Sequence, residues 1–280
     1  MYSSNLNGVL LSNCNLSGSY LYKCNLSNAD LENVNLTHAN LSNANLTNSN
    51  LYEANLTGAN LTRANLTNAI LCRANLTHAI LSNTILNKSD LSISNLENVY
   101  LSSTVLSGVN LSGVYLTSAN ITNVDFRGAL LVNAKLKGLD LTGFDLSNVN
   151  LSELNTDLSN VDLTNVDMIG ANFSYTNLEN TKLKNAKLIG ATLHGAFLCG
   201  VDLTGVNFYK ANLQYANLQG ANLQGANLSK TDLYCANLSN TNLVDTDLTG
   251  ANFERANLQG AIMNNLDVNK VKGATGINAL

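Results

Sequence analysis

The sequence predicts an all-β solenoid in which the chain turns a corner every five residues. Leucine stands at every fifth position from Leu6 to Leu151, and the period resumes from Leu158 to Val268, with an occasional Ile, Met, Phe or Val. A period of five fits neither a helix of 3.6 residues per turn nor the two-residue alternation of a simple strand. The 280 residues include no proline, as expected if stacked coils use nearly every backbone N–H.

Each repeat has positions of distinct character around its leucine, which we call the centre. The residue two before the centre is small, most often Ala, and we call it the small site. The residue just before the centre, the outward site, is mostly Asn or Asp. The residue two after the centre, the corner site, is often Gly or Asn, which tolerate the positive φ of a tight corner. The pattern predicts that centres and small sites point inward and that the other positions face outward.

These repeats resemble the pentapeptide-repeat family, whose pattern is A(D/N)LXX. Residues 39–43 read Ala-Asn-Leu-Ser-Asn and residues 221–225 read Ala-Asn-Leu-Gln-Gly. The resemblance covers about residues 4–268 and is closest to the Asn-rich bacterial and cyanobacterial members. It implies a right-handed quadrilateral parallel β-helix with four repeats per coil. The chain has about 53 repeats, which would make about 13 coils.

The repeats fall into two runs that we expect to belong to one continuous solenoid. Residues 1–151 hold 30 repeats and residues 158–268 hold 23. Residues 152–157 lengthen one step from five residues to seven, which predicts a bulge and a phase break between Leu151 and Leu158. Residues 269–280 leave the period and could cap the last coil. No comparable segment precedes the repeats to cap the first coil. We therefore expect the protein to self-associate as a homo-dimer through the exposed leucines and unpaired backbone groups of that coil.

Composition excludes several classes of function. The chain carries 15 Lys and Arg against 19 Asp and Glu, so no direct nucleic-acid binding is expected, because that needs a basic stripe. No apolar run is long enough to span a membrane. The five cysteines are scattered without a disulfide framework, which favours a cytoplasmic location.

No residue pattern indicates catalysis. His38 and His78 are two coils apart, about 10 Å at the spacing of β-ladders, too far to share a metal ion. Asp alternates freely with Asn at the outward sites, which a catalytic carboxylate could not do. We therefore predict a protein that is not an enzyme and that needs no cofactor or metal.

Apolar residues replace Asn or Asp at several consecutive outward sites, and such patches on proteins tend to mark interaction surfaces. We predict a protein-binding patch here, while the alternative that these sites simply tolerate apolar residues stays open. Its members are Ile70, Ile80, Ile85, Ile93, Tyr100, Val105 and Tyr115, of which Ile93 stands at a corner site.

An acidic belt without basic residues follows in the middle of the chain. Its members are Asp140, Asp145, Glu153, Asp157, Asp162, Asp167 and Glu179. Some members of the family that the chain resembles imitate the shape and charge of duplex DNA and inhibit DNA gyrase, which gives quinolone resistance. The belt would supply the repeated negative charge that this needs.

The function that the sequence favours is a non-catalytic scaffold that binds a protein partner, whose identity the residues do not indicate, through one face of the solenoid. The first alternative is a DNA-mimicking gyrase inhibitor that uses the acidic belt. The second is a structural or ice-interacting surface, suggested by the Thr column of Thr37, Thr57 and Thr77. That column is interrupted by Glu97.

Overall fold

The computed structural model describes residues 2–136, 139–142, 144–152, 158 and 161–264. They belong to two compact units, Met1–Leu139 and Asp140–Leu280. The described residues of each unit are joined by isolated parallel bridges of one residue each, without a helix or a longer strand. In the first unit the bridges join residues 20 apart, from Asn5↔Asn25 to Tyr115↔Lys135. Four pentapeptides therefore make one coil.

The second unit changes its register near its start. The bridges Asp140↔Asp162, Asp145↔Asp167 and Asn150↔Asn172 join residues 22 apart, whereas those from Asp162↔Lys182 to Asn242↔Ile262 join residues 20 apart. The predicted bulge lies outside the described residues except for Ser152, and so does the tail at 269–280. The number of coils and the capping role of the tail stay predictions.

Each corner is a tight turn whose third residue has a left-handed backbone. In the repeat around Leu66, the N–H of Ala69 donates to the Leu66 carbonyl at 2.9 Å, and the corner residue Asn68 has a φ of 58°. This combination is typical of a type II turn, which requires positive φ at that position. The predicted preference of corner sites for Gly and Asn follows from this geometry.

Hydrogen bonds join adjacent coils on every face. The N–H of Asn75 donates to the Ala54 carbonyl on the preceding coil at 2.9 Å, and the N–H of Leu76 donates to Asn95 on the next coil at 2.8 Å. The Asn75 side-chain oxygen accepts the N–H of Thr77 at 3.1 Å. Because nearly every N–H of such a repeat has an acceptor, proline fits few positions.

The core consists of two stacks of inward side chains, as the five-residue pattern predicts. The centres from Leu21 onward and the Ala and Val of the small sites are almost all fully buried. In the first coil, Leu6, Leu11 and Leu16 are half-buried. Thr104 occupies a buried small site, where its hydroxyl donates to the Leu81 carbonyl at 2.7 Å, so that the hydroxyl is paired inside the core.

Candidate functional site: surfaces of the two units

Four of the predicted patch residues lie together on two adjacent faces of the first unit. Ile80 pairs with Tyr100 across neighbouring coils, and Ile85 pairs with Val105 on the next face. Their side chains are 37%, 50%, 45% and 44% exposed, in that order. We call these four residues the apolar patch.

The corner between the two faces of the apolar patch carries only small polar side chains. They are Ser82, Asn83, Ser102 and Ser103. No charged residue occurs in residues 79–87 or 99–107, so the patch and its corner are neutral. Charged residues stand on the coils to either side, Arg63 before the patch and Asp125 after it, and Asp125 pairs with Arg127 at 2.7 Å.

The other three predicted residues are not part of this surface, which corrects the expectation of one contiguous patch. Ile70 lies between Asn50 and Asp90 on the face opposite Ile80, and Tyr115 follows Asn95 on a third face. Ile93 stands at the corner between those two faces, with a φ of 58°. The reason is that residues five apart lie on successive faces, so a cluster in the sequence is distributed around the coil.

The described members of the acidic belt lie in the second unit, and their aspartates form hydrogen bonds or ion pairs. Asp140 stacks on Asp162 and Asp145 stacks on Asp167. Glu179 is exposed at a corner, and Glu153 and Asp157 lie outside the described residues. Each of the four aspartates accepts the backbone N–H two residues further on, as Asn does at other outward sites. The carboxylates therefore serve the turns of the framework.

Lysines of the following coil neutralise two of these carboxylates. Lys182 Nζ lies 2.9 Å from Asp162 Oδ2, and Lys187 Nζ lies 3.5 Å from Asp167 Oδ2. Hydrogen bonds from Lys182 and Thr164 lower the pKa of Asp162 from 3.8 to about 2. The belt consequently presents less free negative charge than its sequence indicates, which weakens the argument for DNA mimicry.

This pair makes stability depend on pH in a defined direction. The Asp162 pKa is depressed in the folded protein, so its contribution is present above pH 3.8 and is lost as the pH falls toward 2. Because the pair is exposed, we expect Lys182→Gln to lower the urea midpoint only slightly at pH 7. The urea midpoints of the wild type and this variant should converge near pH 2. Lys184→Gln is the control, and an equal change in its urea midpoint would contradict the assignment of the effect to the Lys182–Asp162 pair.

An aromatic column along one corner of the second unit was missed from the sequence. The rings of Tyr175, His194, Tyr215 and Tyr234 follow one another with centroid separations of 5.3, 5.2 and 5.7 Å, edge to face. The guanidinium of Arg255 lies 5.7 Å from the Tyr234 centroid. The sequence does not reveal the column, because its members alternate between the first and second positions after the centre and so belong to no single position of the repeat.

The described residues contain no group of three or more His, Cys, Asp or Glu that could hold a metal ion. Where the structure describes the chain, it contains no helix long and apolar enough to cross a membrane. Cys24 is buried, and Cys14, Cys72, Cys199 and Cys235 are half-buried.

Stacked parallel coils of four pentapeptides, with a leucine stack inside, define a β-helical repeat protein. The family model described as pentapeptide repeats (8 copies) matches residues 1–37, 24–63, 54–92, 94–131, 129–168, 155–185, 182–214, 211–250 and 236–272. The chain belongs to the pentapeptide-repeat family, which confirms the resemblance seen in the sequence, and it has the family's right-handed β-helix fold.

Solved structures of the same family are similar to this chain. HetL, involved in heterocyst differentiation regulation in Nostoc sp. strain PCC 7120, is 32% identical over 95% of this chain and 91% of its own, with a TM-score of 0.23. A protein of the Arabidopsis thaliana thylakoid lumen is 32% identical over 37% of this chain and 68% of its own, with a TM-score of 0.28. QnrB1, a plasmid-mediated fluoroquinolone resistance protein, is 17% identical over 94% and 92%, with a TM-score of 0.21. No curated protein matches.

Proposed function

We propose that this protein is a non-catalytic scaffold that binds a protein partner through the apolar patch of its first unit. The observation that carries the proposal is the arrangement of Ile80, Tyr100, Ile85 and Val105. All four are exposed, and they pair in twos across the same two coils on adjacent faces. Exposed apolar patches of this kind tend to mark protein interaction sites.

The fold itself does not need apolar residues at these positions. An Asn or Asp at the outward site accepts the N–H two residues further on, as Asn75 does for Thr77. Ile80 and Tyr100 offer no such acceptor to Ser82 and Ser102, so the framework gives up a local hydrogen bond at each. A net hydrogen bond contributes about 1 kcal/mol to stability. The loss of this contribution supports a role for the patch outside the framework.

The chemistry of the patch matches the centre of a protein interface. Such centres are depleted in charged residues and enriched in aromatic ones, and tyrosine is among the residues that contribute most to binding energy. The backbone beneath the patch is fixed, because Ile80 and Tyr100 both donate to the preceding coil, at 2.9 and 3.0 Å. A rigid surface loses little conformational entropy when a partner binds.

A pull-down from source-cell lysate with three baits tests the proposal. We expect one partner to be retained by the wild type and lost with Ile80→Asp/Tyr100→Asp. The control is Asn55→Asp/Asn75→Asp, which adds the same two charges on neighbouring coils of another face and keeps the side-chain acceptors. Circular dichroism checks that each bait is folded.

Crosslinking then locates the contact. A photoreactive residue at Val105 should label the retained partner, and the same residue at Asn35 should not. If the aspartate variants at Ile80 and Tyr100 retain the same proteins as the wild type, the apolar patch is not the binding site. Equal loss of the partner from the control bait would have the same meaning.

A further inference from the structure

One corner of the second unit carries lysines on two neighbouring coils. The corner sites of successive coils there are Gly170, Gly190, Lys210, Lys230 and Gly250, all with positive φ. A left-handed backbone costs a residue with a side chain roughly 1 kcal/mol relative to glycine. Corner sites elsewhere also carry side chains at positive φ, such as Lys23 and Lys88, so the notable feature here is that two lysines occupy the same corner on neighbouring coils.

The two ammonium groups converge on one tyrosine. Lys210 Nζ lies 5.2 Å and Lys230 Nζ lies 5.6 Å from the centroid of the Tyr209 ring. Lys230 Nζ also lies 3.4 Å from the Tyr209 hydroxyl, to which it donates. The half-buried ring attracts both cations, and it holds two positive charges and a hydroxyl at one place on the surface.

No carboxylate neutralises these charges within the described residues. The ion pairs there involve Arg73, Arg127, Lys182 and Lys187, but neither Lys210 nor Lys230. Asp232, the acid two residues after Lys230, accepts bonds from Gln214, Tyr234 and Asn252 instead. The turns of the next coils at this corner are Ile189-Gly190 and Thr249-Gly250, which carry no charge, so no acidic residue of these turns competes with a ligand for the two ammonium groups.

We propose that Lys210, Lys230 and the Tyr209 hydroxyl form a binding site for a phosphate group. A phosphate monoester with a second pKa near 6 carries close to two negative charges at neutral pH and offers three acceptor oxygens. The two ammonium groups together match this charge, whereas a carboxylate ligand would neutralise only one of the two ammonium groups. Lysine and phosphate form charge-assisted hydrogen bonds, which are about twice as strong as neutral ones.

The position of the site indicates where the phosphate comes from. Small ligands mostly bind in concave pockets that cover most of their surface, whereas Lys210 and Lys230 are exposed at a corner of the coil. An exposed corner can still contact a group that projects from a macromolecule. The ligand we assign is a phosphorylated side chain of a partner protein. This site is separate from the apolar patch and does not depend on it.

Calorimetric titration of the full chain tests the site with defined probes. They are a five-residue peptide with a central phosphoserine, the same peptide with serine or glutamate there, and inorganic phosphate. We expect the wild type to bind the phosphopeptide, and Lys210→Gln/Lys230→Gln to weaken that binding by about tenfold or more. Lys182→Gln/Lys187→Gln removes the same charge elsewhere and should leave it unchanged. Tyr209→Phe keeps the ring and should weaken it severalfold.

The pH dependence provides a second readout. Between pH 7.5 and 5.5 the phosphate loses most of its second charge, so binding of the phosphopeptide should weaken severalfold. Equal binding of the glutamate peptide at pH 7.5, or an equal effect of both double variants, would overturn the proposal. If inorganic phosphate binds as tightly as the phosphopeptide, the phosphate site stands and the phosphoprotein source is wrong.

Discussion

Proline in place of Phe197 is expected to destabilise the second unit severely, whereas proline two residues later, at Cys199, should be tolerated. The N–H of Phe197 donates to the Thr176 carbonyl of the preceding coil at 3.0 Å. Proline removes this donor and leaves the carbonyl without its partner. The loss should lower the free energy of unfolding by at least about 2 kcal/mol.

Cys199 occupies the position of the repeat at which proline costs least. It is the second residue of a turn closed by the N–H of Val201 to the Leu198 carbonyl at 3.2 Å, and Gly200 follows with a φ of 68°. Proline is favoured at this position of a type II turn. The N–H there normally donates to an outward Asn, but Phe197 offers no acceptor. We expect Cys199→Pro to change stability by less than about 1 kcal/mol.

Urea unfolding of both variants, followed by circular dichroism, measures this difference. Phe197→Ala is the control, because it removes the exposed ring and keeps the N–H. If Phe197→Pro unfolds at the same urea concentration as Phe197→Ala, the hydrogen bond between the coils contributes little to stability. A large loss in Cys199→Pro would contradict the type II assignment.

A second large difference is expected between two neighbouring residues of the first unit. Leu81 is fully buried, while Ile80, the residue before it, is 37% exposed. Leu81→Ala leaves a cavity in the leucine stack and should cost about 2–5 kcal/mol. Ile80→Ala removes a side chain that already contacts solvent, and it should cost less than about 1 kcal/mol.

The same two variants separate stability from function. Ile80→Ala should weaken capture of the partner at nearly unchanged urea midpoint, and Leu81→Ala should lower the midpoint by a larger amount. Wild-type and variant midpoints come from the same unfolding experiment. Equal destabilisation by the two substitutions would mean that Ile80 is a core residue and that the apolar patch is not a free surface.

Much of the fold could be predicted because the repeat itself carries the information. A leucine every fifth residue demands burial at that spacing, and the structure buries Leu81 and its counterparts. The Asn and Gly at corner sites have the positive φ that their chemistry favours. These are local requirements of one repeat, so they can be read without knowing which coils are neighbours.

The sites could be predicted only in part, because they depend on which coils meet. Ile80 and Tyr100 were placed together correctly from the 20-residue coil, whereas Ile70 was grouped with them and lies on the opposite face. The acidic belt is evident in the sequence, but only the stacking of coils shows which of its aspartates pair with Lys182 and Lys187 of the following coil. The lysines around Tyr209 and the aromatic column were missed for the same reason.

The sequence by itself determined the inward and outward direction of each side chain, because a hydrophobic centre and a tight corner recur in every repeat. Where the 20-residue spacing is interrupted, only the tertiary structure decided which outward side chains meet. Because two additional residues lie between Leu151 and Leu158, Asp140 pairs with Asp162, which is 22 residues away instead of 20. A shift of two residues changes every contact between those coils while each repeat keeps its own pattern, because the partners of a stacked coil are set by register and not by local preference.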